Sequence, residues 1–111
     1  MKVNADPHFP ASTVLGRYLR VVLTAGKLAL AGDADEEIGT TAVQAIVVDA
    51  PTAIVPKRWA GVRKMVVSEA VAVGDPLFAA AGGKVAKAGT LARGIVLEVA
   101  TADGAEINVL Y

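Results

Sequence analysis

Few side chains in this sequence are of types suited to chemistry, and their spacing narrows what they could do. His8 is the single histidine and stands between Pro7 and Phe9. A Ser-His-Asp or Cys-His relay would have to recruit it from a proline-flanked terminal segment, where catalytic geometry is hard to hold. Asp33, Asp35, Glu36 and Glu37 form an acidic run. They lack the ligand order and the turn glycine of a Ca²⁺ loop, so the run reads as a solvated loop between strands. Gly82-Gly83-Lys84 is followed by Val85, whereas a phosphate-binding loop needs Ser or Thr after its lysine at the start of a helix. A tight turn is the expectation. The segment Lys57-Arg58-Trp59-Ala60-Gly61-Val62-Arg63-Lys64 interleaves cations with the only tryptophan. Such a mixture stacks bases and neutralises phosphates, or anchors a protein interface. Basic and acidic residues balance at 11 each, a formal net charge of zero, so binding would release few counterions and nucleic acid is not the expected partner. No residue set nominates a general acid, a metal site or a cofactor site. The expectation is a protein that is not an enzyme.

The elements that must position these residues are short. A chain of 111 residues fits one domain. Its 54% hydrophobic content includes only 5% aromatics, so Ala and Val dominate and suit thin, closely spaced layers. The longest apolar runs, such as Ala45 to Val48, fall far below the roughly 18 residues of a membrane span. Polar residues and prolines in Met1 to His8 stand where a signal peptide would carry its apolar segment. With no cysteine, stability must come from packing, ladder hydrogen bonds or oligomerisation.

Residues 1–16 show no strand or helix period and read as an extended N-terminal arm, removable without unfolding the rest. Residues 17–111 read as one β-rich domain, a small barrel- or sandwich-like fold with at most one or two short helices, because β-branched segments recur between Gly, Asp and Pro. The expected strands are Leu19–Leu23, Leu28–Ala31, Val43–Val48, Ala53–Val55, Val62–Val67, Leu77–Ala80, Gly94–Val99 and Glu106–Leu110. Asp103-Gly104 marks a turn, which makes Ile95–Val99 and Glu106–Leu110 a hairpin. Thr24-Ala25-Gly26-Lys27-Leu28 also echoes Ala72-Val73-Gly74-Asp75-Pro76-Leu77, a duplicated unit in which Gly26 would match Gly74.

The succession Val73-Gly74-Asp75-Pro76-Leu77, Gly83-Lys84-Val85, Gly94-Ile95-Val96-Leu97-Glu98 and Gly104-Ala105-Glu106-Ile107-Asn108-Val109-Leu110 resembles the capsid decoration, or cement, proteins of tailed bacteriophages. In that family a Gly-Asp turn leads into an Ala-rich strand, a Gly-Lys-Val turn, a Gly-Ile-Ala-Leu-Glu-like strand and a terminal strand ending in Val-Leu; here Val96 stands in place of Ala. The resemblance spans residues 22–110. It implies a virion protein of the capsid exterior, made in the host cytoplasm. Such a protein bridges major capsid proteins, commonly as a homotrimer, and needs no cofactor, nucleic acid or membrane. Phe9, Arg17, Tyr18 and Arg20 near the arm, and Lys57, Arg58 and Trp59, are then the candidate interface residues. The competing readings are a ligand-binding or enzymatic small β-barrel whose site forms between subunits, and a host-surface or carbohydrate-binding module.

Overall fold

The computed structural model describes residues 8–57, 59 and 61–111. Among these residues, ten strands form two five-stranded antiparallel sheets: β1 His8–Pro10, β2 Arg20–Thr24, β3 Lys27–Leu30, β4 Gly39–Thr41 and β5 Pro51–Pro56 in the first, and β6 Val62–Val66, β7 Pro76–Ala79, β8 Val85–Ala86, β9 Ala92–Val96 and β10 Glu106–Leu110 in the second. The fold is mainly β, and its only helical piece among the described residues is a 3-10 turn at Ala81–Gly83.

The two sheets have the same plan. Their strand orders are β1-β5-β4-β2-β3 and β6-β10-β9-β7-β8, so each strand of the first half has a counterpart five strands later. The equivalence reaches individual bonds. The isolated bridges Ala11 with Leu28 and Leu15 with Ala45 recur as Val67 with Val85 and Val71 with Ala100. The amides of Ala11 and Ser12 donate to the carbonyls of Ala50 and Leu28, as those of Val67 and Ser68 donate to Ala105 and Val85. Lys27 pairs with Asp49 at 2.6 Å and Lys84 with Asp103 at 2.9 Å. The chain is therefore an internal duplication in structure, in a different register from the one the sequence suggests. Gly74 occupies the position of Tyr18: both have positive φ, and both donate their amides to the β4 or β9 strand, at Thr41 and Val96. Gly26 is matched by Gly83, second residue of a left-handed pair in each half.

Each sheet curls until its edge strands are tied by one parallel bridge, without closing into a barrel. Each half also keeps its own core. Ala11, Leu15, Val21, Leu28, Ala45 and Ile54 fill the first; Met65, Val67, Val71, Leu77, Val85, Val96, Ala100, Ile107 and Val109 fill the second. The alternation in β10 shows how the sequence produces this: Ile107 and Val109 are buried, while Glu106 and Leu110 are exposed.

Several expectations are corrected. Residues 8–16 are not a loose arm: β1 pairs with β5 through His8 with Ala53 and Phe9 with Thr52, and Ala11 and Leu15 are buried in the first core. Deleting residues 1–16 would remove that core material, so the arm is not dispensable. Residues 1–7 lie outside the described residues. Val43–Val48 is not a strand; only Ala45 bridges, to Leu15, and Val43, Ile46, Val47 and Val48 are exposed in the β4–β5 loop. β1, β4 and β8 were not expected, since a proline-containing triplet, Gly-Thr-Thr and a two-residue strand carry little β signal of their own.

Candidate functional site

Where the halves meet, the contact is polar and buried. Arg20 leaves β2 on the side facing away from the first core and is fully buried. Its guanidinium donates to the carbonyls of Gly32 (3.0 Å), Ala80 (2.6 Å) and Lys84 (3.1 Å) and lies 3.4 Å from Glu37. It therefore clamps the first half to the turn between β7 and β8. Glu37, only 3% exposed, also receives the Nε of Arg93 at 2.8 to 2.9 Å and the hydroxyl of Tyr111 at 2.9 Å. Arg93 reaches on to Glu36 at 2.8 Å, and Glu36 also pairs with Lys57.

Arg63 completes the junction. It lies 3.9 Å over the Tyr111 ring and donates to the carbonyls of Pro56 (2.9 Å), Val55 (3.4 Å) and Trp59 and to Thr40 Oγ1 (3.4 Å). A planar fork suits such a cluster of carbonyls, where a lysine would satisfy fewer acceptors.

Burial sets the protonation of these groups. Arg20 and Arg63 are lowered from the ordinary arginine value, mainly by desolvation, yet arginine still stays charged at neutral pH. Desolvation, followed by the nearby Glu37 charge, pushes the Tyr111 hydroxyl well above the ordinary phenol range. The Lys57 hydrogen bond and the Arg93 charge hold exposed Glu36 below the usual carboxylate range. Because the folded pKa of Tyr111 is raised, its contribution is present below the unfolded phenol value of about 10 and is lost as pH rises beyond it. Tyr111→Phe is expected to cost about 1–2 kcal/mol at pH 8. The gap between wild type and variant should shrink above pH 10, read by urea unfolding at a series of pH values. A gap that stays constant to pH 11 contradicts this assignment.

This arrangement corrects two sequence expectations. The acidic run is not wholly solvated, since Glu37 is the buried counter-charge of the junction. Arg20 is not available to an external partner, because no part of its side chain reaches solvent. The other candidates are dispersed. Phe9 is partly buried against the first core. Arg17 and Tyr18 lie together, 5.1 Å from guanidinium to ring, and Arg17 forms a two-point pair with Glu106 at 2.9 and 3.0 Å. Lys57 borders two shallow depressions, of about 250 Å³ with Ala92, Arg93, Gly94 and Tyr111, and about 480 Å³ with Glu37, Ile38 and Pro56. Trp59 is half exposed, and Arg58 lies outside the described residues.

Sequence reasoning missed two apolar surfaces. The first comprises Val14, Val43, Ile46, Val47 and Val48, exposed around the β4–β5 loop. The second is a row on the outer side of the second sheet, where Val62, Leu110 and Ile95 stand side by side at 63, 46 and 45% exposure. Solvated sheet faces are ordinarily polar, and the signal available in the sequence was an apolar residue at odd spacing from a core residue in each strand, Val62 from Met65, Ile95 from Val96 and Leu110 from Val109. Among the described residues no group of three or more His, Asp or Glu is placed to hold a metal ion, and no helix is long and apolar enough to cross a membrane.

The fold as a whole defines a class: a tandem pair of small curled β-sheets with a buried ionic junction. No family model matches the sequence, and no curated protein does. Among solved structures, the N base of head fiber gp8.5 from bacteriophage phi29 is similar, with a TM-score of 0.78 over 96% of this chain and 92% of that one, at 13% identity.

Proposed function

We propose that this chain is a structural protein of a bacteriophage virion that binds the outer surface of the capsid. The observation that carries the reading is a fold shared over nearly the full length of both chains with the base of a phage head fiber. The Gly-turn and strand succession that resembles capsid decoration proteins points the same way from the sequence. In this reading the chain is not an enzyme. It is made in the host cytoplasm, assembles with itself as a homotrimer, and bridges neighbouring major capsid proteins. Attachment runs through the apolar β4–β5 loop, with half-exposed Trp59 as a second contact. Exposed apolar groups in this number are a cost in solution and a gain when covered.

Cosedimentation with undecorated capsids of the phage that encodes the chain tests it. The protein should pellet with capsids and saturate at a fixed ratio. Val48→Glu should weaken binding at least about tenfold, since a charge would be buried in an apolar contact. Absence of pelleting at every concentration would remove the proposal.

A further inference from the structure

At three places the first half carries a side chain where the second has glycine. Tyr18, Ala25 and Asp49 have positive φ, and so do their counterparts Gly74, Gly82 and Gly104. That region suits glycine and strains a residue with a β-carbon, so each exception calls for a compensating contact. Asp49 has one, since its carboxylate pairs with Lys27 at 2.6 Å, and aspartate is among the side chains that tolerate positive φ best. Ala25 adds only a methyl group in the tight β2–β3 turn. Tyr18 is the bulkiest of the three, at a φ of 63°, and its side chain is half-buried. Its ring carries the Arg17 guanidinium at 5.1 Å, and Arg17 pairs with Glu106 of the second half. An exposed cation over a ring and an exposed ion pair each stabilise by less than such strain costs. Folding alone therefore does not account for a tyrosine here.

Tyr18 also adjoins the apolar surface around the β4–β5 loop. Backbone bonds join Leu15 with Ala45, and Tyr18 and Leu19 with Thr41, which lays residues 15–19 antiparallel beside 41–45. In that register Val14 and Val43, both exposed, stand between Tyr18 and the loop tip. The tip departs from its twin as well. Residues 45–50 and 100–105 are equivalent and equal in length, yet Ile46, Val47 and Val48 are exposed where the second half has Thr101, Ala102 and Asp103. The same loop thus forms without aliphatic groups, as the same bend forms without tyrosine.

We infer that Tyr18 is a contact residue for the major capsid protein, kept at positive φ because its ring extends the apolar loop into one continuous strip. The chemistry of the strip sets the kind of surface it fits. The Arg17 charge is already matched by Glu106, which leaves aliphatic groups, one ring and one phenol to meet an apolar patch of the partner. Backbone strain of this kind collects where a function maintains it, and tyrosine is a frequent interface anchor. The inference rests on the capsid-binding reading and adds to it a residue whose loss separates binding from stability.

Tyr18→Gly, which copies the second half, tests it by two measurements on the full chain. Its thermal unfolding midpoint should equal or exceed that of wild type, because the strain is relieved. Its cosedimentation with undecorated capsids should weaken at least about tenfold. Tyr18→Asn, also suited to positive φ, should behave in the same way. A midpoint of Tyr18→Gly clearly below that of wild type would show that the ring serves the fold, and would overturn the inference without any capsid present. If Val48→Glu loses capsids while Tyr18→Gly pellets like wild type, the contact at Tyr18 falls and capsid attachment stands. A wild type that never pellets removes the capsid reading and this contact together.

Discussion

Glu37→Ala is expected to lower the unfolding free energy by about 3–5 kcal/mol, because it strips the counter-charge from two buried guanidinium groups at once. Arg20 and Arg93 both contact the Glu37 carboxylate, and the Tyr111 hydroxyl donates to it. Whole domains are stable by only about 5–15 kcal/mol, so this loss is a large share. Arg17→Ala, which removes a two-point pair exposed to solvent, should cost less than about 1 kcal/mol. Urea unfolding of both variants beside wild type reads the difference directly. Equal costs would mean that the junction is not the principal tie between the halves. Since the two apolar cores are separate clusters, loss of the junction should also split the transition, with one half unfolding before the other.

The second large effect concerns a matched pair of glycines. A Cβ on Gly39 would lie 2.3 Å from the Val55 carbonyl oxygen, and one on Gly94 would lie 2.4 Å from that of Leu110. In both cases the obstacle is backbone of the neighbouring strand, which cannot swing aside. Gly94 also has a φ of +127°, so alanine there adds backbone strain to the clash. Each substitution to alanine is expected to cost at least about 3 kcal/mol. Gly26→Ala and Gly104→Ala supply the contrast, with positive φ but open space around the new methyl group; about 1 kcal/mol is expected from backbone strain alone. Thermal unfolding of the four variants should fall into these two groups. Tolerance at Gly39 and Gly94 equal to that at Gly26 would contradict the close strand approach that defines both halves.

The β-class and most strands were legible because they rest on local pattern. The β9–β10 hairpin follows from Asp103-Gly104 and the alternation around Ile107; β2, β5 and β6 follow from β-branched runs between turn residues, and β3 and β7 from short apolar segments that begin just after the turn glycines Gly26 and Gly74. Val43–Val48 misled for the same reason. Its composition is that of a strand, but its apolar side chains point outward, and nothing local reveals that they are free for a partner. The junction was illegible because its members are far apart in sequence: Glu37 meets Tyr111, and Arg20 meets Lys84, only after both sheets have formed. On composition alone these residues count as surface charge. The duplication showed faintly and in the wrong register. The two halves repeat backbone conformations more than residue types, with Tyr18 set against Gly74 and Asp49 against Gly104, each pair at positive φ.

Electron cryomicroscopy of phage capsids mixed with the protein tests the proposed position on the capsid exterior. Added density on the capsid exterior, at regular positions and of a size to hold copies measuring 40 × 28 × 22 Å, is the predicted result. A map indistinguishable from that of the undecorated capsid, at protein concentrations far above the number of lattice positions, would contradict it.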